Sequence, residues 1–120
     1  MEEKLVSTSN WPEDLDALTA SVKHHRLLFE NEHVRVLDTF IPPGDKTDLH
    51  THKWPSSLYV LSWSDFVRYD KDDNILLDSR ARSLAIEPGG SLWSGPLEPH
   101  SLKNVGSTDL HIISVELKRV

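Results

Sequence analysis

From residue 26 onward the chain is a succession of short apolar and β-branched runs, broken by turn signals about every eight to twelve residues. That spacing restricts it to an all-β sandwich or barrel. Strands are expected over 26–29, 34–41, 50–54, 57–63, 65–70, 75–78, 83–86, 91–94, 100–104 and 110–117. The turns between them carry Pro42-Pro43-Gly44, Lys71-Asp72-Asp73-Asn74, Glu87-Pro88-Gly89-Gly90 and Val105-Gly106-Ser107-Thr108. Ahead of this region, Asn10-Trp11-Pro12-Glu13-Asp14 reads as a helix start, with a capping residue, a proline and acids in the first turn. Leu15, Leu18 and Val22 then form an apolar stripe on a short helix that covers or buttresses the barrel. His24 and His25 fall at the end of that helix, where positive charge suits the dipole. The expected division is 1–25 as a polar segment with the short helix and 26–120 as the barrel, one domain in 120 residues.

The densest chemical signal lies just after the Pro42-Pro43-Gly44-Asp45 turn. His50 and His52 stand two apart on an extended segment, so their imidazoles share one face and can hold one ion between them. A third histidine, His100, follows about fifty residues later within Pro96-Leu97-Glu98-Pro99-His100-Ser101-Leu102-Lys103-Asn104. Three neutral imidazoles on neighbouring strands make a facial ligand set with open positions opposite it.

These fragments resemble the two motifs of the cupin superfamily. Gly44, five residues and His50-Thr51-His52 match the first motif, whose following Glu is replaced here by Ser56 or Ser57. Pro96, His100 and Asn104 match the second. The resemblance spans roughly residues 26 to 117 and implies a single-domain double-stranded β-helix, a jelly-roll-like barrel, with a short N-terminal helix. It implies a divalent metal held by His50, His52 and His100. Fe(II) is favoured because three-His cupins include thiol dioxygenases and a β-diketone-cleaving dioxygenase. Zn, Ni, Mn and Cu also suit imidazole. With no carboxylate ligand the ion keeps its full charge, which favours small anionic or enolisable substrates that chelate it. A non-redox isomerase, lyase or decarboxylase, or a binding protein without catalysis, are the alternatives that the same residues allow.

If Ser57 takes the place of the motif Glu, strand parity turns Tyr59, Leu61 and Trp63 inward with it. Tyr59 is then a candidate hydrogen-bond donor to substrate, and Ser57, Trp54, Trp63 and Trp93 are candidates for the pocket wall. Asp48 shares parity with His50 and is a candidate for orienting it or for a fourth ligand. Arg35, Arg68, Arg80 and Arg82 are the candidate carboxylate clamps, with surface ion pairing expected for Arg68 beside Asp65 and Asp70. His111 is expected to be satisfied within the core or an interface.

Composition narrows the partners. Lys and Arg number 13 against 19 Asp and Glu, a net charge of −6, which is unlike a nucleic-acid binder. No apolar stretch approaches the roughly 18 residues of a membrane span. The chain has no cysteine, and Met1-Glu2-Glu3-Lys4-Leu5 lacks a basic, then apolar leader, so a cytoplasmic location is expected. A homodimer is expected by analogy with small cupins, which bury sheet edges in this way.

Overall fold

The computed structural model describes residues 11–118. The polar stretch 1–9 and the capping Asn10 lie outside the described residues. Among these described residues, nine strands follow a short helical segment. They are β1 (His25–Glu30), β2 (Val34–Ile41), β3 (His50–His52), β4 (Ser56–Ser62), β5 (Phe66–Asp70), β6 (Ile75–Asp78), β7 (Ser91–Ser94), β8 (Leu97–Asn104) and β9 (Leu110–Leu117). They form two antiparallel sheets, one in the order β1-β2-β9-β4-β7 and the other β3-β8-β5-β6. Between the sheets lies an apolar cluster of Ile41, Val60, Phe66, Leu110 and Ile112.

Local chemistry sets the corners. Pro43 and Gly44 occupy the centre of a turn closed by the Asp45 N–H donating to the Pro42 carbonyl at 3.1 Å, and Gly44 takes φ +84°. A proline followed by a residue at positive φ is the type II pattern, which favours glycine at that position. The motif residue Asn104 is fully buried and shapes the β8–β9 corner. Its amide donates to the carbonyls of Ile41 and Thr108, and its oxygen accepts from Ser64 Oγ and the Gly106 N–H. Every polar valence of that side chain is therefore spent on structure.

The expected N-terminal helix is present but short. A 3₁₀ turn at Glu13–Leu15 leads into α1 (Ala17–Ala20), which Asp16 caps by accepting from the Leu18 N–H. Val22 lies beyond the helix and is 68% exposed, so the expected apolar stripe ends before it. Residues 83–86 are not a strand. Ser79 accepts from the Leu84 N–H and Ser83 sits at φ +50°, which folds this stretch into turns.

Candidate metal centre

Four histidines, not three, meet inside the barrel. His50 and His52 come from β3, and His100 lies directly opposite His50 on β8. The fourth is His25, the first residue of β1, which pairs with Thr39 of β2. The sequence placed His25 at the end of a helix. The helix stops at Ala20, and β1 carries the side chain inward, where it is only 6% exposed. Ring centroids lie 4.3 Å apart for His50 and His100, 4.7 Å for His25 and His50, and 5.0 Å for His50 and His52. Ring nitrogens of His25, His50 and His52 all fall within 4.8 Å of one another. His100 stands against this trio, 5.8 Å from His52 between centroids.

Each ring is held in the same way. Nδ1 of His25 donates to the Ser21 carbonyl at 3.0 Å, Nδ1 of His50 to the Asp48 carbonyl at 2.7 Å, and Nδ1 of His100 to the Glu98 carbonyl at 2.6 Å. A carbonyl only accepts, so in each ring the proton sits on Nδ1 and Nε2 keeps its lone pair. His52 Nδ1 donates instead to Glu116 Oε2 at 2.9 Å. Four imidazoles, each tied off at Nδ1 and free at Nε2, are the arrangement that metal-ligating histidines require. Asp48 and Glu98 contribute only through their backbone, and both side chains are exposed.

The electrostatics agree with ligand chemistry. Burial, together with neighbouring imidazoles, pushes His25 down to about 2, His50 down to about 3 and His100 down to about 2. These three rings are neutral at neutral pH, as metal binding needs.

Behind His52 lies a buried ion chain that strand parity alone did not expose. Glu116 is fully buried, and its second oxygen accepts from Arg35 Nε at 2.6 Å. Arg35 then reaches Asp16 with both terminal nitrogens, at 2.8 and 3.0 Å. Burial works to raise the Asp16 carboxyl, but Arg35 holds it below the usual carboxylate range. Burial likewise opposes the Arg35 charge, and the two carboxylates more than offset it. The N-terminal segment is thus tied into the site twice, through the Ser21 carbonyl and through Asp16. Arg35 is consequently no substrate clamp, because both its partners are internal.

The missing motif carboxylate has a structural counterpart. Ser56 is buried and pairs with Glu116 across β4 and β9, while Ser57 is exposed. The inward set on β4 is Ser56, Leu58 and Val60, opposite to the parity expected from Ser57. Tyr59 and Leu61 therefore point outward, 48% and 43% exposed, and Tyr59 has no place in the site. A register shift between Val60 and Ser62 restores Trp63 to the inside. Trp63 and Trp93 line the main cavity, and Trp54 does not. Trp54 packs beneath the cations of Arg35, Lys53 and Lys118, 4.5 to 5.2 Å from its ring. His111 lies outside the site and pairs with Asp38 at 2.7 Å.

The four histidines open onto a cavity of about 410 Å³. Its walls are mostly hydrocarbon, including Leu58, Phe66, Leu92 and Ile112. Arg68 of β5 also lines it, in phase with the buried Phe66, and makes no ion pair with Asp65 or Asp70 among the described residues. Arg80 is on the surface, paired with Asp78.

No family model matches the chain. An oxalate-binding protein of Thermotoga maritima is 27% identical over 75 residues, covering 62% of this chain and 54% of that protein. The chain thus spans about half the length of this relative. Among solved structures, a cupin domain from Bordetella pertussis superposes with a TM-score of 0.62 at 18% identity, covering 79% of this chain and 92% of that one. A cupin-family protein with a double-stranded β-helix fold from Methanocaldococcus jannaschii gives 0.53 at 16% identity, covering 98% and 92%. The polyketide cyclase RemF from Streptomyces resistomycificus gives 0.53 at 16% identity, covering 98% and 81%. The fold is the cupin double-stranded β-helix, and a histidine cluster inside such a barrel is a constellation suited to a divalent metal ion. No helix among the described residues is long and apolar enough to cross a membrane.

Proposed function

We propose that this chain is a mononuclear metal-dependent cupin that binds, and acts on, a small chelating anion. The observation that carries this reading is the set of four imidazoles whose Nδ1 atoms are all spent and whose Nε2 atoms have no hydrogen-bond partner among the described residues. His25, His50 and His52 would hold the ion, with His100 beside them as a further ligand. A bound divalent ion would supply Lewis acidity, and iron would add redox mediation between a bound substrate, which provides the electrons, and dioxygen.

The chain's own residues do the rest. The three backbone carbonyls and Glu116 fix the imidazoles in one tautomer and orientation. Arg35 and Asp16 hold Glu116 in turn. The mostly hydrocarbon walls lower the polarity around the reacting end, which strengthens electrostatic interactions there. The donor set is all nitrogen and uncharged, so an anionic or enolisable ligand would supply the compensating charge. Dioxygenase-like oxidation is the reaction class that an iron-loaded site of this kind supports. The likeness to the oxalate-binding protein of Thermotoga maritima favours a second reading, binding of a small dicarboxylate without redox chemistry.

The test is anaerobic purification without a histidine tag, loading with Fe(II) or Zn(II), and incubation with diketones, thiols, keto acids and oxalate. Oxygen uptake with a substrate-dependent product in the iron form alone supports the oxygenase. Turnover of equal rate in both forms without oxygen moves the function to Lewis-acid chemistry. Saturable binding with no product in either form would leave a binding protein.

A further inference from the structure

Arg68 is the second arginine to enter the barrel; it is partly buried, and among the described residues no carboxylate answers its charge. Its Nε is buried and has no hydrogen-bond partner among the described residues. No carboxylate lies within ion-pair distance among the described residues, and Glu98, in a neighbouring cleft that Arg68 also lines, makes no bond to it. Its cross-strand partners are Leu102 and Leu77, both apolar and both facing the same cavity. Burial works against the guanidinium charge, unopposed by any partner. A second donor in the cavity is in the same position: the indole Nε1 of Trp63 is buried without an acceptor among the described residues. Among the described residues, no Asp or Glu lines this cavity. The wall therefore offers buried N–H donors and a cation, with no protein carboxylate to meet them.

A cation drawn partly out of water, with its Nε buried and no counter-ion, costs stability to the fold that carries it. Its planar fork matches a carboxylate better than any other common group. The site is within reach of the histidines, since His100 lies two residues along β8 from Leu102, the cross-strand partner of Arg68, and so is its diagonal neighbour. The cavity, at about 410 Å³ with mainly hydrocarbon walls, has room for more than a two-carbon diacid.

We propose that Arg68 is the specificity-determining residue of this cavity, binding the carboxylate of a small oxo or hydroxy acid whose apolar remainder packs against Leu77, Leu102 and Phe66. This rests on the metal-site reading only for the second anchor of the ligand; the carboxylate contact itself needs no metal.

The experiment is isothermal titration of the full chain, metal-free and zinc-loaded, with the α-keto acid of leucine. A neutral diketone, in which a methyl group replaces the O⁻ of that acid, is the control. Arg68→Met should weaken the keto acid about tenfold or more in both forms. Arg68→Lys, which keeps the charge and loses the fork, should fall between. The diketone should bind all three proteins within about twofold of one another, zinc stoichiometry should be unchanged, and the thermal midpoint of Arg68→Met should equal or exceed that of the wild type. Equal keto-acid affinity in wild type and Arg68→Met would overturn the proposal. So would equal losses for acid and diketone, or a wild type that binds no keto acid. If Arg68→Met does not fold, the Arg68→Lys comparison decides the matter by the same criteria. Failure to take up zinc would sink the metal reading alone, because the metal-free titrations still test Arg68.

Discussion

Arg35 and Arg68 both rise from strands into the interior of one barrel, and their surroundings are opposite. Arg35 meets Glu116 through Nε and Asp16 through both terminal nitrogens, and the pair of carboxylates raises its affinity for its proton. Arg68 meets leucines, and burial alone lowers it. One cation is part of the scaffold, and its network ends on a histidine of the candidate site. The other costs stability, as groups reserved for ligands commonly do. A buried charge therefore says little by residue type. What distinguishes structure from function is whether the protein itself supplies the partner.

Breaking the paired member should have the largest effect. Arg35→Met leaves the buried Glu116 and the half-buried Asp16 without their cation, and a loss of about 3–5 kcal/mol in urea unfolding is expected. Cutting the link between the ion chain and the site should act on metal affinity. Glu116→Gln keeps the volume and removes the charge that His52 Nδ1 meets, so zinc affinity, measured against a competing chelator, should fall about 10- to 100-fold.

Acid tests the other side of the comparison. His25, His50 and His100 have folded values far below the ordinary 6.5. The unfolded chain then binds more protons than the folded one at any pH between those limits. Stability of the metal-free protein is complete above about pH 6.5 and is lost as pH falls below it. The slope is about 1.4 kcal/mol per pH unit for each proton the folded state refuses. A flat stability profile between pH 7 and about pH 5 would show that these rings are not held neutral. Smaller still is Arg68→Met, for which no loss of stability is expected. Tyr59→Phe, on the outer face, should change unfolding by less than about 0.5 kcal/mol and leave ligand binding untouched.

The sequence made the barrel and the His50/His52 pair legible because both are local. Alternation, turn residues and an i, i+2 spacing need no knowledge of distant contacts. His100 was legible by its motif. His25 was not, because its entry into the site depends on β1 pairing with β2, and beside His24 it looked like the end of a helix. Glu116 carried a signal: it is in phase with Leu110, Ile112 and Ser114, all facing inward on β9. The choice between Ser56 and Ser57 was a one-residue ambiguity, and since a strand alternates faces, that single step turned Tyr59 outward. Arg68 likewise shared the phase of Phe66, but its acidic sequence neighbours suggested a surface ion pair that the fold does not make.

The most direct test of the account is metal content, by mass spectrometry on protein purified anaerobically without a tag and then loaded with Fe(II) or Zn(II), with a His50→Ala, His52→Ala variant prepared identically. The account predicts close to one divalent ion per chain in the wild type and almost none in a variant that remains folded. A wild type that refuses both ions, or a variant that holds as much as the wild type, would contradict it.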